Sequence, residues 1–492
     1  MVEKSNSKEK NTKSDIIKNL VWRFAERCGA KLVTFFVSII LARLLSPEDY
    51  GTIALINVFI TILSIFVDSG LGNALIQKKN ADTLDFSTVF YTNIVFCVIL
   101  YSLLYFCAPI IASFYENPEL TLLVRVLGIT ILISGVKNVQ QAYVSRNMLF
   151  KKFFFATLGG TIISAGLGIF GAVRGYGVWA LVIQQVSNVL IGTIVLWRVV
   201  KWRPTKEFSI DRFRNLFQYG WKLLVSSLLD TGYNNLRQLI IGKLYSTSDL
   251  AFYEKGRQFP NLIVTNVNAS IDSVLLPSMS NFQDDKIKIK NMTRRAIKIS
   301  VYVMAPLMMG LFATATSVVQ ILLTDKWIGC VPFLRIFCVV YMFQPIHTAN
   351  LNAIKAMGRS DLFLKLEVIK KIIGIALLLL TLPHGVMAMA YSLLISNVLS
   401  QIVNTWPNWK LLNYNYFEQL KDIMPSIILA VVMSIFVWTI ELLNLSTIIT
   451  LVIQVALGAV IYIVGSKIFK IDSFVYLWNI IKPILNKKEK TG

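Results

Sequence analysis

The chain has 492 residues, of which 55% are hydrophobic and only 15% are charged. Soluble domains are typically about 45–50% apolar and about 25% charged, so this composition excludes an ordinary soluble protein. The net charge of +22 is distributed over short segments between apolar runs. This is the pattern of loops in membrane proteins, and we expect no binding of nucleic acid.

Apolar runs of the length that crosses a bilayer, about 20 residues each, recur along almost the whole chain. Turn residues and charges divide them into fourteen candidate spans, so the sequence predicts an all-α integral membrane protein with about fourteen transmembrane helices. In chain order the spans cover residues 18–44, 51–73, 86–112, 121–144, 152–173, 177–199, 215–241, 250–275, 297–323, 330–354, 363–382, 385–406, 422–440 and 446–468.

Lysine and arginine are concentrated in alternate loops. Because the number of predicted spans is even, both termini lie on one side of the membrane, and the basic loops lie on that same side. The positive-inside rule assigns that side to the cytoplasm, so we expect a multi-pass protein with two cytoplasmic ends. After the last span, residues 471–485 place Tyr476 and Trp478 among apolar residues. A helix at the cytoplasmic interface and an unstructured tail explain this segment equally well.

Few residues carry the chemistry of a metal or redox site. The five cysteines lack CxxC or metal-ligand spacing, so we expect no disulfide framework, no zinc and no cofactor. His347 and His384 are the only histidines. A proton relay at His347 is one interpretation, and polar packing is the favoured one.

An internal repeat is visible when the chain is compared with itself. Residues 41–49 (LARLLSPED) align with residues 241–249 (IGKLYSTSD) at an offset of 200, and Arg125 falls opposite Arg335 at an offset of 210. We therefore expect two parallel six-helix lobes related by an axis along the membrane normal, with substrate between them. The predicted organisation is a cytoplasmic tail (1–16), an N-lobe (17–206), a C-lobe (207–412), two appended spans (413–470) and an interfacial or cytoplasmic tail (471–492).

Polar residues recur at helical spacing in predicted spans one, two, seven and eight. An ionisable residue inside a span costs about 2.5–3.5 kcal/mol on insertion scales, so such residues normally face a cavity or a partner. These spans are the first two of each lobe, where a shared cavity would lie. The candidate cavity residues are Arg23, Arg27, Lys31, Asn57, Asp68, Lys222, Asp230, Asn234, Arg237, Glu254, Arg257, Asn261 and Asp272.

The cations of span one have more than one interpretation. Arg23 and Arg27 lie near the cytoplasmic end, where a cavity and snorkelling to the interface explain them equally well. Lys31 lies deeper, which favours the cavity. Because the repeat alignment places Lys31 at nearly the depth of Asp230, we hypothesise an ion pair between them that forms in one access state and breaks in the other.

Four motifs carry a family resemblance: LLSPEDYG at residues 44–51, VDSGLGNALIQ at 67–77, LIIGK at 239–243 and MGRSD at 357–361. Together they resemble the Wzx-type polysaccharide flippases of the multidrug/oligosaccharidyl-lipid/polysaccharide exporter (MOP) superfamily, in particular the branch of colanic acid and teichuronic acid exporters. The resemblance runs from about residue 17 to residue 412. The chain departs from the usual pattern at residues 245–248 and at Asn234, Asn235 and Arg237.

The resemblance implies two six-helix lobes around a cavity that opens alternately to either side of the bacterial cytoplasmic membrane. It also implies a cargo of oligosaccharide units on undecaprenyl pyrophosphate, and partners that include membrane lipids and a polysaccharide polymerase. Cations on the stripes suit a pyrophosphate, because arginine binds it with two hydrogen bonds and lysine binds it as a point charge. The asparagines on the same faces suit sugar hydroxyls.

The two rival functions are a transporter of the same fold and an enzyme from another class. A drug or cation antiporter of the same fold would centre on a buried carboxylate, whereas cations predominate on these stripes. A membrane enzyme such as a polysaccharide polymerase would carry catalytic acids or a metal motif on a sizeable loop, and the sequence has no HExxH, Walker A or DxD motif. We therefore expect a transporter that is not an enzyme. An ion gradient, the membrane potential and metabolic pull stay open as its energy source.

Overall fold

Helices form most of the chain that the computed structural model describes, which comprises residues 29–68, 71–443 and 445–488. The first helices are α1 (29–44), α2 (Pro47–Asp68), α3 (Leu71–Gln77), α4 (Thr83–Phe114), α5 (Leu120–Arg146), α6 (Phe150–Val173), α7 (Val178–Val199), α8 (Ile210–Leu244) and α9 (Thr247–Ser280). They are followed by α10 (Lys286–Ala313), α11 (Ala315–Leu323), α12 (Val331–Met342), α13 (Gln344–Ala356), α14 (Ser360–Thr381), α15 (Val386–Leu412), α16 (Tyr416–Thr439), α17 (Thr447–Ile468) and α18 (Asp472–Lys488). No strand occurs in these described ranges, and the predicted all-α class is confirmed.

Ten helical segments of the described chain are long and apolar enough to cross a membrane. They coincide with predicted spans two to six, nine, ten and twelve to fourteen. Predicted span one extends beyond the described residues, and α8 and α9 have the length but are interrupted by polar side chains. Helix α14 carries Lys365, Glu367, Lys370 and Lys371. The multi-pass membrane fold is confirmed, and the count of fourteen spans stays a prediction.

The chain groups into two compact units that divide between Ala251 and Phe252, within α9. In the first unit α8 packs against α2, α3 and α4, and in the second unit α10 packs against α12, α13 and α16. The predicted lobe boundary at residue 206 lies before α8 and stays a prediction, as do the predicted tails and appended spans.

Close packing of α6 on α7 depends on glycines. A Cβ atom at Gly160 would come within 3.0 Å of the backbone nitrogen of Gly192, and one at Gly168 would come within 2.6 Å of the side chain of Gln184. Small residues allow helix backbones to approach in a membrane, where dispersion contacts replace the hydrophobic effect as the source of association. The two helices therefore form a tight hairpin in the first unit.

The repeated motifs begin helices with the same hydrogen bonds. Ser46 Oγ donates to Asp49 Oδ2 at 2.8 Å, and the backbone N–H of Asp49 donates back to Ser46 Oγ at 3.2 Å. At the equivalent positions, Ser246 Oγ donates to Asp249 at 2.7 Å and the N–H of Asp249 donates to Ser246 Oγ at 3.0 Å. Both turns thus satisfy donors at a helix start in the same way. This shared geometry supports the internal repeat.

A second pair of repeat-related residues also has a common environment. Arg125 Nε donates to the backbone oxygen of Tyr105, and the guanidinium lies 4.1 Å from the centroid of that ring. Arg335 Nε donates to the backbone oxygen of Phe312, with its guanidinium 5.6 Å from the ring centroid. Each arginine therefore joins its helix to the preceding long helix through one carbonyl and one aromatic ring.

A buried carboxylate and a nearby arginine together join four helices of the first unit. Asp85, in the first turn of α4, has a fully buried side chain that lies 2.7 Å from Lys78 Nζ and 3.1 Å from a guanidinium nitrogen of Arg212. Arg146, at the end of α5, donates to the backbone oxygens of Leu75 and Lys78. These contacts fix the ends of α3, α4, α5 and α8 to one another at the side that the charge pattern assigns to the cytoplasm.

The connection between α7 and α8 is attached to the same end of α4. The backbone N–H of Thr205 donates to Ser87 Oγ at 2.9 Å, and the N–H of Ser209 donates to Thr88 Oγ1 at 3.3 Å. The indole of Trp202 packs in an aromatic cluster with residues of α4 and α5. The connection is therefore an ordered part of the first unit.

Residues 471–485, for which the sequence allowed either a helix or an unstructured tail, lie mostly in helix α18. Its first turn is joined to α10 by an ion pair between Lys298 Nζ and Asp472 Oδ2 at 3.0 Å. Arg295 of α10 lies 4.9 Å from the ring centroid of Tyr476. Val475 and Trp478 are exposed, as an interfacial helix requires. Its location at the cytoplasmic interface stays a prediction.

Asp85→Asn should lower the free energy of unfolding by about 3 kcal/mol, because removal of one partner from a buried ion pair leaves uncompensated charge. Asp82→Asn is the matched control, since Asp82 also contacts Arg212 but has a side chain that is 51% exposed. The control should cost at most about 1 kcal/mol. Thermal unfolding of the purified protein in detergent measures both variants, and equal losses would contradict the role given to Asp85.

Candidate functional site

A polar stripe lies on the exposed surface of α8. Lys222, Asp230 and Asn234 are exposed at helical spacing along this helix, and Asn234 Nδ2 donates to Asp230 Oδ2 at 3.2 Å. The exposed positions immediately beside the stripe are apolar, namely Trp221, Val225 and Leu229. Helix α8 therefore presents two different surfaces, one suited to water and one suited to lipid.

Arg237 differs from the other candidates on α8. It is 8% exposed and lies beside Gln238, which is 5% exposed. Both residues are on the part of α8 that packs within the first unit. Arg237 thus has a buried position where the sequence predicts a cavity cation.

The far end of α8 is fixed to its neighbours. Lys243 Nζ lies 2.9 Å from the carboxylate of Glu116, in the loop between α4 and α5, and this hydrogen bond lowers the pKa of Glu116. A Cβ atom at Gly242 would come within 2.7 Å of a methyl group of Leu55 on α2. Arg212, near the start of α8, forms an ion pair with Asp85. Both ends of α8 therefore contact neighbouring elements, and the polar stripe between the two ends is exposed.

Two charged residues of α9 form an ion pair with each other. Arg257 lies 2.8 Å from Glu254, three residues earlier on the same helix. Both side chains are partly buried. The sequence predicts both as cavity residues, and the structure shows that the positive charge of Arg257 is compensated by its neighbour.

Beyond this pair, the exposed surface of α9 is mainly polar. Asn261, Thr265 and Asp272 are exposed, and the hydroxyl of Thr265 donates to the backbone oxygen of Asn261 at 2.8 Å. Asp272 Oδ1 accepts a hydrogen bond of 2.7 Å from Asn352, which is buried on α13. The carboxylate of Asp272 therefore has a fixed position in the second unit.

Exposed side chains on α4 provide the comparison for these stripes. In the membrane-crossing part of α4 most of them are apolar, among them Val95, Val98, Ile99, Leu103, Phe106 and Ile110, and Ser102 and Tyr105 are the polar exceptions. Lipid can solvate such a face, whereas it cannot hydrogen-bond to amide or charged groups. The polar face of α8 and the polar face of α9 are therefore each suited to contact with water.

The remaining predicted site residues lie on the first two helices. Lys31 is exposed on α1 and Asn57 is half-buried on α2. Arg23 and Arg27 lie outside the described residues, as does the side chain of Asp68, the last residue of α2. The ion pair between Lys31 and Asp230 stays a hypothesis.

A polar network in the second unit was not predicted from the sequence. On α13, His347 Nε2 lies 2.8 Å from Asn397 Oδ1, and His347 Nδ1 lies 2.8 Å from Asn404 Nδ2. Because Asn397 offers an oxygen and Asn404 offers an N–H, these bonds fit a neutral imidazole that carries its proton on Nε2. Both ring nitrogens are occupied, which supports the packing role favoured for His347.

The sequence signal for this network is a stripe of amide side chains that contains no ionisable residue. Predicted span twelve contains Asn397, Gln401 and Asn404, and Asn408 follows its predicted end. The spacing of three and four residues places all four on one face of α15. Asn408 Nδ2 donates to Asn350 Oδ1 on α13 at 2.7 Å. The amide stripe therefore joins α15 to α13. Within the described residues, no group of three or more His, Cys, Asp or Glu side chains has a geometry that would hold a metal ion.

Residues 40–332 match the protein family described as Polysaccharide biosynthesis protein. The chain is 26% identical over 411 residues to the teichuronic acid biosynthesis protein TuaB of Bacillus subtilis, covering 81% of this chain and 84% of that protein. It is 23% identical over 429 residues to the lipopolysaccharide biosynthesis protein WzxC of Escherichia coli, covering 86% of this chain and 83% of that protein.

Solved structures share the fold at low sequence identity. The lipid II flippase MurJ, in an inward closed conformation, aligns with a TM-score of 0.74 at 15% identity and covers 92% of this chain and 99% of that one. An inward-facing MATE family multidrug transporter of the MOP superfamily aligns with a TM-score of 0.59 at 14% identity, covering 78% of this chain and 94% of that one. The chain therefore has the fold of this transporter superfamily.

Cysteine accessibility distinguishes the two kinds of exposed surface. In a variant without native cysteines, Asn261→Cys should react with a membrane-impermeant maleimide at least tenfold faster than Val98→Cys, because the reactive thiolate forms in water and not in lipid. Val98 is the matched control, being 49% exposed on a membrane-crossing helix. Equal rates at the two positions in proteoliposomes would show that α9 faces lipid.

Proposed function

We propose that this chain, which belongs to the polysaccharide biosynthesis protein family, flips oligosaccharide units on undecaprenyl pyrophosphate from the inner to the outer leaflet of the bacterial cytoplasmic membrane. The family match and the relatives TuaB and WzxC confirm the resemblance to Wzx-type flippases of the MOP superfamily. The chain is a membrane transporter and not an enzyme. The cargo, the direction and the alternating-access mechanism are parts of the proposal.

One observation carries the proposal: α8 and α9 expose polar and charged side chains although they belong to a membrane fold. Lys222 on α8 and Lys31 on α1 are exposed cations, and pyrophosphate is a compact anion that lysine binds as a point charge. Asn234 and Asn261 offer amide donors and acceptors to sugar hydroxyls. A lipid-linked anionic oligosaccharide requires both kinds of contact.

The antiporter alternative requires a buried carboxylate that binds a cation. Asp230 and Asp272 are exposed and accept hydrogen bonds from asparagine side chains, and Glu254 is paired with Arg257. These carboxylates therefore already have partners and, at Asp230 and Asp272, access to water. This arrangement favours the flippase over a cation antiporter of the same fold.

The proposal also specifies the location of the termini, the energy source and the partners of the protein. We place both termini in the cytoplasm, because the basic loops then obey the positive-inside rule. The flippase would need no cofactor, and any uphill work would draw on an ion gradient, the membrane potential or consumption of the product. Its partners would be the lipid-linked oligosaccharide, membrane lipids and a polysaccharide polymerase.

Lys31→Ala and Lys222→Ala should each slow flipping about tenfold, since a hydrogen bond to a charged group contributes about 1.5–3 kcal/mol. Proteoliposomes that contain a fluorescent undecaprenyl-pyrophosphate oligosaccharide measure the rate, through a quencher that reaches only the outer leaflet. Lys482→Ala is the control, because Lys482 is exposed on α18 and away from the stripes. Absence of any protein-dependent increase in outer-leaflet label would reject flipping.

A double-mutant cycle tests the ion pair between Lys31 and Asp230. If the two charges interact, Lys31→Ala and Asp230→Ala together should slow transport no more than either variant alone. Strictly additive losses in the logarithm of the rate would exclude the coupling. The same proteoliposome assay provides all four rates.

A further inference from the structure

An apolar cavity of about 320 Å³ lies in the first unit between the middle of α4 and the start of α8. Its volume falls within the range of about 300–1,000 Å³ that is usual for small-molecule sites. The cavity is separate from the polar stripes and is lined by Tyr91, Thr92, Val95, Phe96, Phe208 and Phe213.

The cavity opens toward the lipid-facing surface. Val95 is 56% exposed and Phe208 is 51% exposed, so these two side chains form its rim. Val95 lies on the apolar face of α4, which crosses the membrane, and its exposed neighbours Val98 and Ile99 are also apolar. A hydrocarbon chain can therefore enter the cavity directly from the bilayer.

Cations lie on the connection between α7 and α8 and on the start of α8, close in sequence to the lining residues Phe208 and Phe213. Lys201, Lys206 and Arg214 are exposed, and within the described residues none of the three forms an ion pair. Two exposed carboxylates, Glu207 and Asp211, are interspersed with them. The cations outnumber the carboxylates, which favours an anionic headgroup over a zwitterionic one.

We propose that this cavity holds one acyl chain of an anionic phospholipid, whose phosphate contacts the exposed cations of the connection between α7 and α8 and of the start of α8. The chain fills apolar space that is open to the membrane, and the headgroup lies where lysine and arginine are available. Surrounding phospholipid is in large excess over any lipid-linked intermediate, so mass action favours it as the occupant. Bound lipid would hold the connection, which includes Phe208, against α4.

Lipid retention tests the proposal. The protein is reconstituted in nanodiscs of equal parts phosphatidylglycerol and phosphatidylcholine, released into detergent and examined by native mass spectrometry. Wild type should retain one phosphatidylglycerol in at least threefold preference to phosphatidylcholine. Val95→Trp should reduce that retention at least fivefold by filling the cavity, and Thr92→Leu, a smaller change, should reduce it in the same direction.

The matched control is Val98→Trp, which adds the same side chain to the lipid-facing surface of α4 outside the cavity and should leave retention unchanged. Replacing both Lys206 and Arg214 with glutamine should remove the preference for phosphatidylglycerol while an acyl chain is still retained. Equal retention of the two lipids by wild type, or equal effects of Val95→Trp and Val98→Trp, would overturn the proposal. Displacement by an equimolar polyprenyl phosphate would also overturn it, because the site would then belong to the cargo lipid.

Discussion

The core of a bilayer offers no hydrogen-bond partners, and this constraint determines where each polar side chain of the protein can lie. Most exposed positions of α4, such as Val98 and Leu103, are apolar, as contact with lipid requires. The exposed positions of α8 and α9 include Lys222, Asp230 and Asn261, which lipid cannot solvate. These faces therefore need water or a polar cargo, and the candidate site follows from that need.

Two groups of polar side chains that do not face water are paired inside the protein. Asp85 forms ion pairs with two cations and fixes helix ends, and His347 uses both ring nitrogens to join α13 to α15. Either arrangement would be unfavourable if it were half satisfied, because an unpaired buried polar group loses its hydration without compensation. The exposure of a polar side chain thus indicates its role. Buried polar side chains pair with one another and stabilise the fold, whereas those on the exposed stripes are available to a ligand.

Spacing along the chain predicted the ten helical segments that are long and apolar enough to cross a membrane, because hydropathy and helical periodicity are local properties. Pairing was not predictable in the same way: the compensation of Arg257 by Glu254 depends on side-chain conformation, and the burial of Arg237 depends on the packing of α8. The amide stripe of α15 was missed since asparagine carries no charge. Its partner His347 lies 50 residues from Asn397 in the sequence, so only the fold brings them together.

Compensated charge also limits how tightly the proposed cargo can bind. If three free cations each contributed about 1.5–3 kcal/mol to a pyrophosphate in only one access state, their sum would reach the roughly 5.5 kcal/mol that moves an equilibrium from 1:99 to 99:1. Such a transporter would be trapped with its cargo bound. Pairing Arg257 with Glu254, and placing Asp230 on the same stripe as Lys222, lowers the net attraction. An anionic cargo could then be held by the asparagines and few cations, and released when the cavity reopens.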